Sequence, residues 1–279
     1  MREPTDTRSS ERPRLARVIS RDGTPIAYES TGTGPALVLV HGGISDRTYW
    51  WSVLPALAAR FTVHAIDRRG RGESGDAEAY AIAREGEDVA AVVEAIPGPV
   101  ALLGHSYGGI CALEAVLLTD NLRMLLLYEP PLGVSFPPGF FGRLEAALAA
   151  GDRDRAIETM MAEVVGLSPA ELTALRASPS WAALVSTAHT LPREVRAVEE
   201  YRFDPERFRR LTLPAVLLAG ELSPEPLRVA GMALAQRALP HARVVTMPGV
   251  GHEAVETGPG VFTAAVLASL AQAGPTNPT

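Results

Sequence analysis

Val100-Ala101-Leu102-Leu103-Gly104-His105-Ser106-Tyr107-Gly108-Gly109 is the stretch whose reading decides the fold. An apolar run without polar alternation predicts a strand buried on both faces. The helical pattern that follows, Tyr107 to Thr119, begins directly after the serine. Glycines two positions either side of Ser106 fit a turn too sharp for larger residues. G-x-S-x-G between a strand and a helix therefore predicts a nucleophile elbow, with the hydroxyl held out above the sheet. The bland alternative is a serine in an ordinary βα turn.

Outward from the elbow, similar apolar runs occur at Ala36–Val40, Thr62–Ile66, Met124–Tyr128, Ala215–Ala219 and Arg243–Met247. Helical patterns separate them: Thr48–Ala59, Ala81–Ala95, Pro226–Ala238 and Gly260–Ala271. Strand–helix alternation with buried strands predicts an α/β fold, a mostly parallel β-sheet flanked by helices. Two further short strands, Ala16–Ser20 and Pro25–Glu29, are joined through Asp22-Gly23. Between Glu129 and Leu213 about 80 residues pass without a buried strand, far beyond ordinary loop length. Helical patterns at 141–150, 153–165, 169–176, 181–190 and 193–201 fill that interval, so an inserted helical cap is expected over 130–212. The core would then comprise 15–129 and 213–273, with 1–14 a disordered tail.

Composition narrows the chemistry. The chain has 279 residues, 47% hydrophobic and 21% charged, with net charge −6, so no global positive field invites nucleic acid or an anionic membrane surface. All 26 basic residues are arginine. Without lysine there is no Walker A site, no pyridoxal Schiff base and no Ser–Lys dyad. A single cysteine, Cys111, excludes an internal disulfide or a multi-cysteine metal site. No apolar stretch reaches the roughly 18 residues a membrane helix needs. These features predict a cytoplasmic protein that binds a small-molecule substrate and needs no cofactor or metal; the oligomeric state is not legible.

Two more loops gather at the strand ends. His41-Gly42-Gly43 follows the run Ala36–Val40 and could turn a backbone N–H toward the elbow. Gly43 is the expected donor, paired with the N–H of Tyr107 in an oxyanion hole, while His41 braces the loop. Gly249-Val250-Gly251-His252-Glu253 follows the last apolar run, which places His252 on the same sheet edge as Ser106 and makes it the expected general base.

These motifs, together with Asp67-Arg68-Arg69-Gly70-Arg71-Gly72-Glu73-Ser74, resemble the α/β-hydrolase fold superfamily from about Arg17 to Ala271. The last motif is similar to the D-x-R-G-x-G-x-S loop of that family, which also inserts a helical cap after its sixth strand. One departure stands out. Relatives carry an aspartate in a G-x-x-D context after the strand that follows the cap; here Gly220-Glu221-Leu222-Ser223 has serine in that place. Glu129, at the end of the preceding strand, is the first candidate for the acid, since some relatives, including certain haloalkane dehalogenases, use a glutamate there. Glu225 and Glu221 are the alternatives.

The resemblance implies a serine hydrolase acting through an acyl-enzyme on a carboxylic ester, lactone or thioester. Phe136, Phe140, Phe141, Leu167, Trp181 and Leu184 of the cap suggest an apolar substrate. Acyl transfer to an alcohol or amine in place of water is one rival; the missing aspartate keeps a second open, perhydrolysis, C–C cleavage, or a lyase or cyclase step on the same residues. A catalytically weak binding protein is a third reading. Elsewhere structural readings prevail: Tyr49, Trp50 and Trp51 as packing, Cys111 as a small buried hydrophobe, and Glu85, Glu87 and Asp88 as a solvated helix face.

Overall fold

Apolar runs that cannot face water on either side stack into one sheet in the computed structural model, which describes residues 13–178 and 180–272. Its strands are β1 (Arg14–Ile19), β2 (Pro25–Thr31), β3 (Ala36–Val40), β4 (Thr62–Ile66), β5 (Val100–His105), β6 (Leu122–Tyr128), β7 (Ala215–Gly220) and β8 (Arg243–Met247). Their order is β1-β2-β4-β3-β5-β6-β7-β8. β2 runs antiparallel to both β1 and β4, and every other pairing is parallel. Of the expected tail, residues 1–12 lie outside the described residues, while Arg14 already opens β1.

The central strands β3 and β5 are buried along their whole length. Each fully buried Leu, Ile or Val there contributes about 1.5–3 kcal/mol relative to exposure. Helices cover both faces. One core unites Val38, Val40 and Leu102 with α2 (Ile82–Ala95) and α3 (Tyr107–Ala115); the other unites Leu37, Leu39 and Leu103 with Leu57 of α1 (Leu54–Ala58) and Phe262. The expected single helix over Thr48–Ala59 is instead a 3₁₀ turn at Arg47–Trp50 followed by the short α1, with Pro55 in its first turn. Proline suits a helix start and removes the N–H that continuation would require.

Between β6 and β7 the chain forms α4 (Phe140–Ala149), α5 (Arg153–Met160), α6 (Pro169–Arg176), α7 (Ser180–Thr187) and α8 (Leu191–Glu200). These inserted helices have their own apolar core, with Phe140, Leu144, Ile157, Trp181, Leu191 and Val195 buried together. Ile44, from the loop after β3, is part of it. After β7 follow α9 (Glu225–Arg237) and, beyond β8, α10 (Ala254–Thr257) and α11 (Pro259–Gln272). Among the described residues no helix is long and apolar enough to cross a membrane.

The helix face Glu85, Glu87, Asp88 is not solvated as expected. Glu85 and Asp88 are buried, at 0% and 2% exposure. Glu85 pairs with Arg68 and Asp88 with Arg69, both arginines being buried as well. Charges at those depths persist because each is matched by an opposite one in hydrogen-bonding geometry.

Candidate active site

Parallel strands deliver their C-terminal ends to one edge of the sheet, and the loops that leave β3, β5, β6 and β8 there carry every expected site residue. Ser106 follows β5 with φ 52° and ψ −123° and opens α3. A side chain at Gly104 would stand 2.4 Å from the Gly108 carbonyl oxygen, and one at Gly108 would stand 2.4 Å from the carbonyl oxygens of Val40 and His41. Both contacts are far inside van der Waals limits, which is the steric reason for glycine two residues either side of the serine.

Backbone strain is concentrated at this edge. Among the described residues, the non-glycine positions with positive φ are Ile44, Ser106 and Glu129. Such conformations cost on the order of 1–3 kcal/mol each and persist where surrounding structure enforces them, as at functional sites. At Ser106 one restraint is the N–H donated to the Tyr128 carbonyl at 2.8 Å.

Glu129 and His252 meet. The imidazole Nδ1 lies 2.7 Å from Glu129 Oε2, and Glu129 Oε1 accepts the Gly220 N–H at 2.8 Å. The carboxylate is 1% exposed. It thus reaches across from β6 to the end of β7, the strand after which the aspartate of relatives would come. Ser223, in that aspartate's place, is buried with its hydroxyl unpartnered. The other two candidate acids are elsewhere: Glu221 accepts the Gly249 N–H at 2.9 Å, and Glu225 is exposed in the first turn of α9. Burial disfavours the protonated imidazole of His252. The Glu129 hydrogen bond, with the charges of Glu253 and Glu129, outweighs it and lifts the pKa above the ordinary 6.5.

The histidine loop is tied to the elbow through His105. Its Nε2 donates to the His252 carbonyl at 3.0 Å, and its ring stacks on Tyr49 with centroids 5.0 Å apart. Burial first, then His252, keeps His105 neutral, with its pKa well below 6.5. Tyr49, expected only to pack, also donates its hydroxyl to Glu253 at 3.1 Å. His105, His252 and Glu253 bring potential metal-ligating atoms within 4.8 Å of one another. One nitrogen of each histidine is, however, already engaged by Glu129 or the His252 carbonyl.

On the other side of Ser106 runs the His41-Gly42-Gly43 loop. A side chain at Gly42 would stand 3.1 Å from Ser106 Cβ, so the loop lies directly against the serine. His41 is fully buried, donates from Nδ1 to the Gly42 carbonyl at 2.9 Å, and accepts the Arg68 N–H at Nε2 at 3.2 Å. Those opposite roles fix one neutral tautomer, in keeping with a pKa that burial and the charges of Arg68 and Arg71 push well below 6.5. His189, on the inserted segment, is exposed and bonds the Gly70 and Ser186 carbonyls instead of facing the serine.

A group of charges beside this loop was not anticipated from sequence. Arg68, 1% exposed, pairs with Glu85 and with Glu194 of α8; Arg71 pairs with Glu194 at 2.6 Å. Arg68 and Arg71 occupy x positions of the D-x-R-G-x-G-x-S loop, where the motif itself does not call for a charge. Nothing in the sequence links Glu194 to Arg68, 126 positions away.

Residues 37–266 match the model of the Alpha/beta hydrolase family. The solved structure of an alpha/beta hydrolase from Sphaerobacter thermophilus is 35% identical, covering 91% of this chain and all of that one, with a TM-score of 0.80. An esterase from a Rhodococcus species is 27% identical, covering 93% of this chain and 99% of its own, with a TM-score of 0.72. A pimeloyl-[acyl-carrier protein] methyl ester esterase from Aeromonas hydrophila is 39% identical over 95 residues. That match takes in 33% of this chain and spans about a third of the relative, 36% of its length.

Proposed function

Because the chain belongs to the alpha/beta hydrolase family, we propose that it is a cofactor-independent serine hydrolase. Its substrate would be a carboxylic ester, lactone or thioester of an apolar small molecule, cleaved through an acyl-enzyme. The observation that carries this reading is the Glu129–His252 hydrogen bond at 2.7 Å beside a serine held at positive φ. Esterases among the similar proteins support the choice of bond.

In the proposed cycle Ser106 Oγ attacks the carbonyl carbon while His252 Nε2 takes its proton. Glu129 accepts the Nδ1–H, holds the tautomer and stabilises the imidazolium. The N–H groups of Gly43 and Tyr107 bind the oxyanion. His252 then protonates the departing alcohol or thiol, and water repeats the sequence to release the acid. The inserted helices would act as a cap, their apolar core packing on Ile44 of the loop that would bind the oxyanion.

Perhydrolysis, C–C cleavage and lyase or cyclase chemistry drew their support from the missing aspartate. The Glu129 carboxylate, bonded to both His252 and Gly220, supports a complete set of acid, base and nucleophile and so favours the hydrolytic reading. The test is a panel of p-nitrophenyl esters, lactones and thioesters, with mass spectrometry to trap the acylated Ser106 peptide and product analysis with an added alcohol acceptor. Ester turnover with a Ser106 adduct and free acid as product is the expected result. A predominantly transferred product would replace hydrolysis by acyl transfer, and no labelling of Ser106 by a fluorophosphonate would remove the reading altogether.

A further inference from the structure

We propose that Arg68 is a positioning residue for the oxyanion-binding peptide, orienting and polarising the Gly42–Gly43 amide from behind. The inference rests on the reading above that the Gly43 N–H binds the oxyanion.

The Gly42 carbonyl and the Gly43 N–H belong to one amide group. Its oxygen accepts from Arg68 Nη1 at 2.8 Å and from His41 Nδ1 at 2.9 Å. A cationic donor on the carbonyl withdraws electron density from the amide, making its N–H a stronger donor, and two donors fix the plane in which that N–H points. The same guanidinium lies 4.2 Å from the ring centroid of Tyr107, whose backbone supplies the other expected oxyanion donor. Arg68, its side chain 1% exposed, therefore touches both donor-bearing elements from within the protein.

A closed circuit of contacts holds it there. Glu85 takes Arg68 Nη2 and Nε at 2.6 and 2.9 Å; the Tyr80 hydroxyl bonds Glu85 at 2.7 Å and the Tyr107 hydroxyl at 2.7 Å. Glu194 adds a charge from the inserted helices. Its Oε2 lies 3.6 Å from where a Gly43 side chain would begin, a place where a carboxylate would oppose a developing oxyanion. Arg68 and Arg71 offset that charge. Loss of Arg68 would weaken the donor and uncover the opposing carboxylate. Both effects act on the transition state more than on bound substrate.

A purely structural ion pair would shift stability and leave this discrimination intact. The decisive protein is Arg68→Gln/Glu85→Gln, which removes one charge of each sign and leaves Arg71 with Glu194. Removing an oxyanion donor outright costs about 10²–10³ in kcat, so weakening one should cost about 10- to 100-fold. For a p-nitrophenyl ester, kcat should fall by that factor with KM within about threefold. The inhibition constant of a trifluoromethyl ketone, which forms a reversible hemiketal oxyanion, should rise in parallel with the loss in kcat/KM. The acid limb of the pH profile, set by His252, should stay in place. If the double variant does not fold, Arg68→Lys carries the test, because it keeps the charge without the planar fork. It should show a smaller fall in kcat at unchanged KM. A folded variant with kcat and ketone affinity within twofold of wild type overturns the inference alone. A wild-type protein that neither turns over esters nor binds the ketone overturns it together with the hydrolase reading.

Discussion

Glu129 and His252, 123 positions apart in the chain, share a hydrogen bond of 2.7 Å at the sheet edge where Ser106 sits. The acid comes from the end of β6, and it reaches the end of β7 through a second bond to Gly220.

Replacing Glu129 by Gln should be the most informative single change. It keeps the size, removes the charge and offers an amide N–H that favours the wrong tautomer. In a serine triad such a loss reaches up to about 10⁴ in kcat; roughly 10²–10³ is expected here. Glu225→Gln and Glu221→Gln should stay within about tenfold of wild type, as their carboxylates lie off the histidine. Steady-state kinetics on the three variants decides the matter, and a crippled Glu225→Gln beside a normal Glu129→Gln would move the acid to the loop after β7.

Ser106→Ala and His252→Ala should each remove nearly all ester hydrolysis while preserving the fold. The double variant should lose no more than either single one, since the two groups act as a unit. Circular dichroism and p-nitrophenyl ester assays check both halves, and appreciable residual turnover in either single variant would exclude the mechanism.

The pH profile follows from His252. Its base form is the active one, and its pKa is raised above 6.5 chiefly by Glu129, against the effect of burial. Activity should thus fall as pH drops through a midpoint above 6.5. Glu129→Gln removes the hydrogen-bonded charge that raises the value, so its acid limb should move to lower pH. An unmoved limb would mean that the two residues are not coupled in solution.

Glu85→Gln tests the buried charges. Leaving Arg68 with Glu194 as its remaining carboxylate partner should cost about 3 kcal/mol, the lower end for a broken buried pair. Burial raises the Glu85 pKa, but Arg68 outweighs it and holds the carboxyl below 4.5. A depressed folded pKa gives stability that is complete above the unfolded value and is lost as pH falls through the folded one. Urea titrations should show wild type and variant well apart at neutral pH and converging in acid. A constant gap would sink the charge argument.

Preincubation with EDTA should leave hydrolysis unchanged, because the proposed steps use only side chains and backbone N–H groups. Loss of activity that added zinc restores would point instead to the His105, His252, Glu253 group as a working metal site.

Periodicity and glycine placement made the α/β sheet and the elbow legible, because both are local: buried strands must be apolar along their length, and Gly104 and Gly108 are required by contacts within a few residues or one strand away. Chain order placed Ser106, Glu129 and His252 at strand ends, hence on one edge, and kept Glu221 and Glu225 as rivals. Only the tertiary structure put the Glu129 carboxylate on His252, since which acid meets the imidazole depends on how far β6 and β7 carry their ends, not on spacing. It likewise turned Glu85 and Asp88 inward. A helical charge looks solvated until a partner from elsewhere in the chain, here Arg68 or Arg69, is brought against it; a buried ion pair is a property of two distant segments and leaves no periodic mark in either.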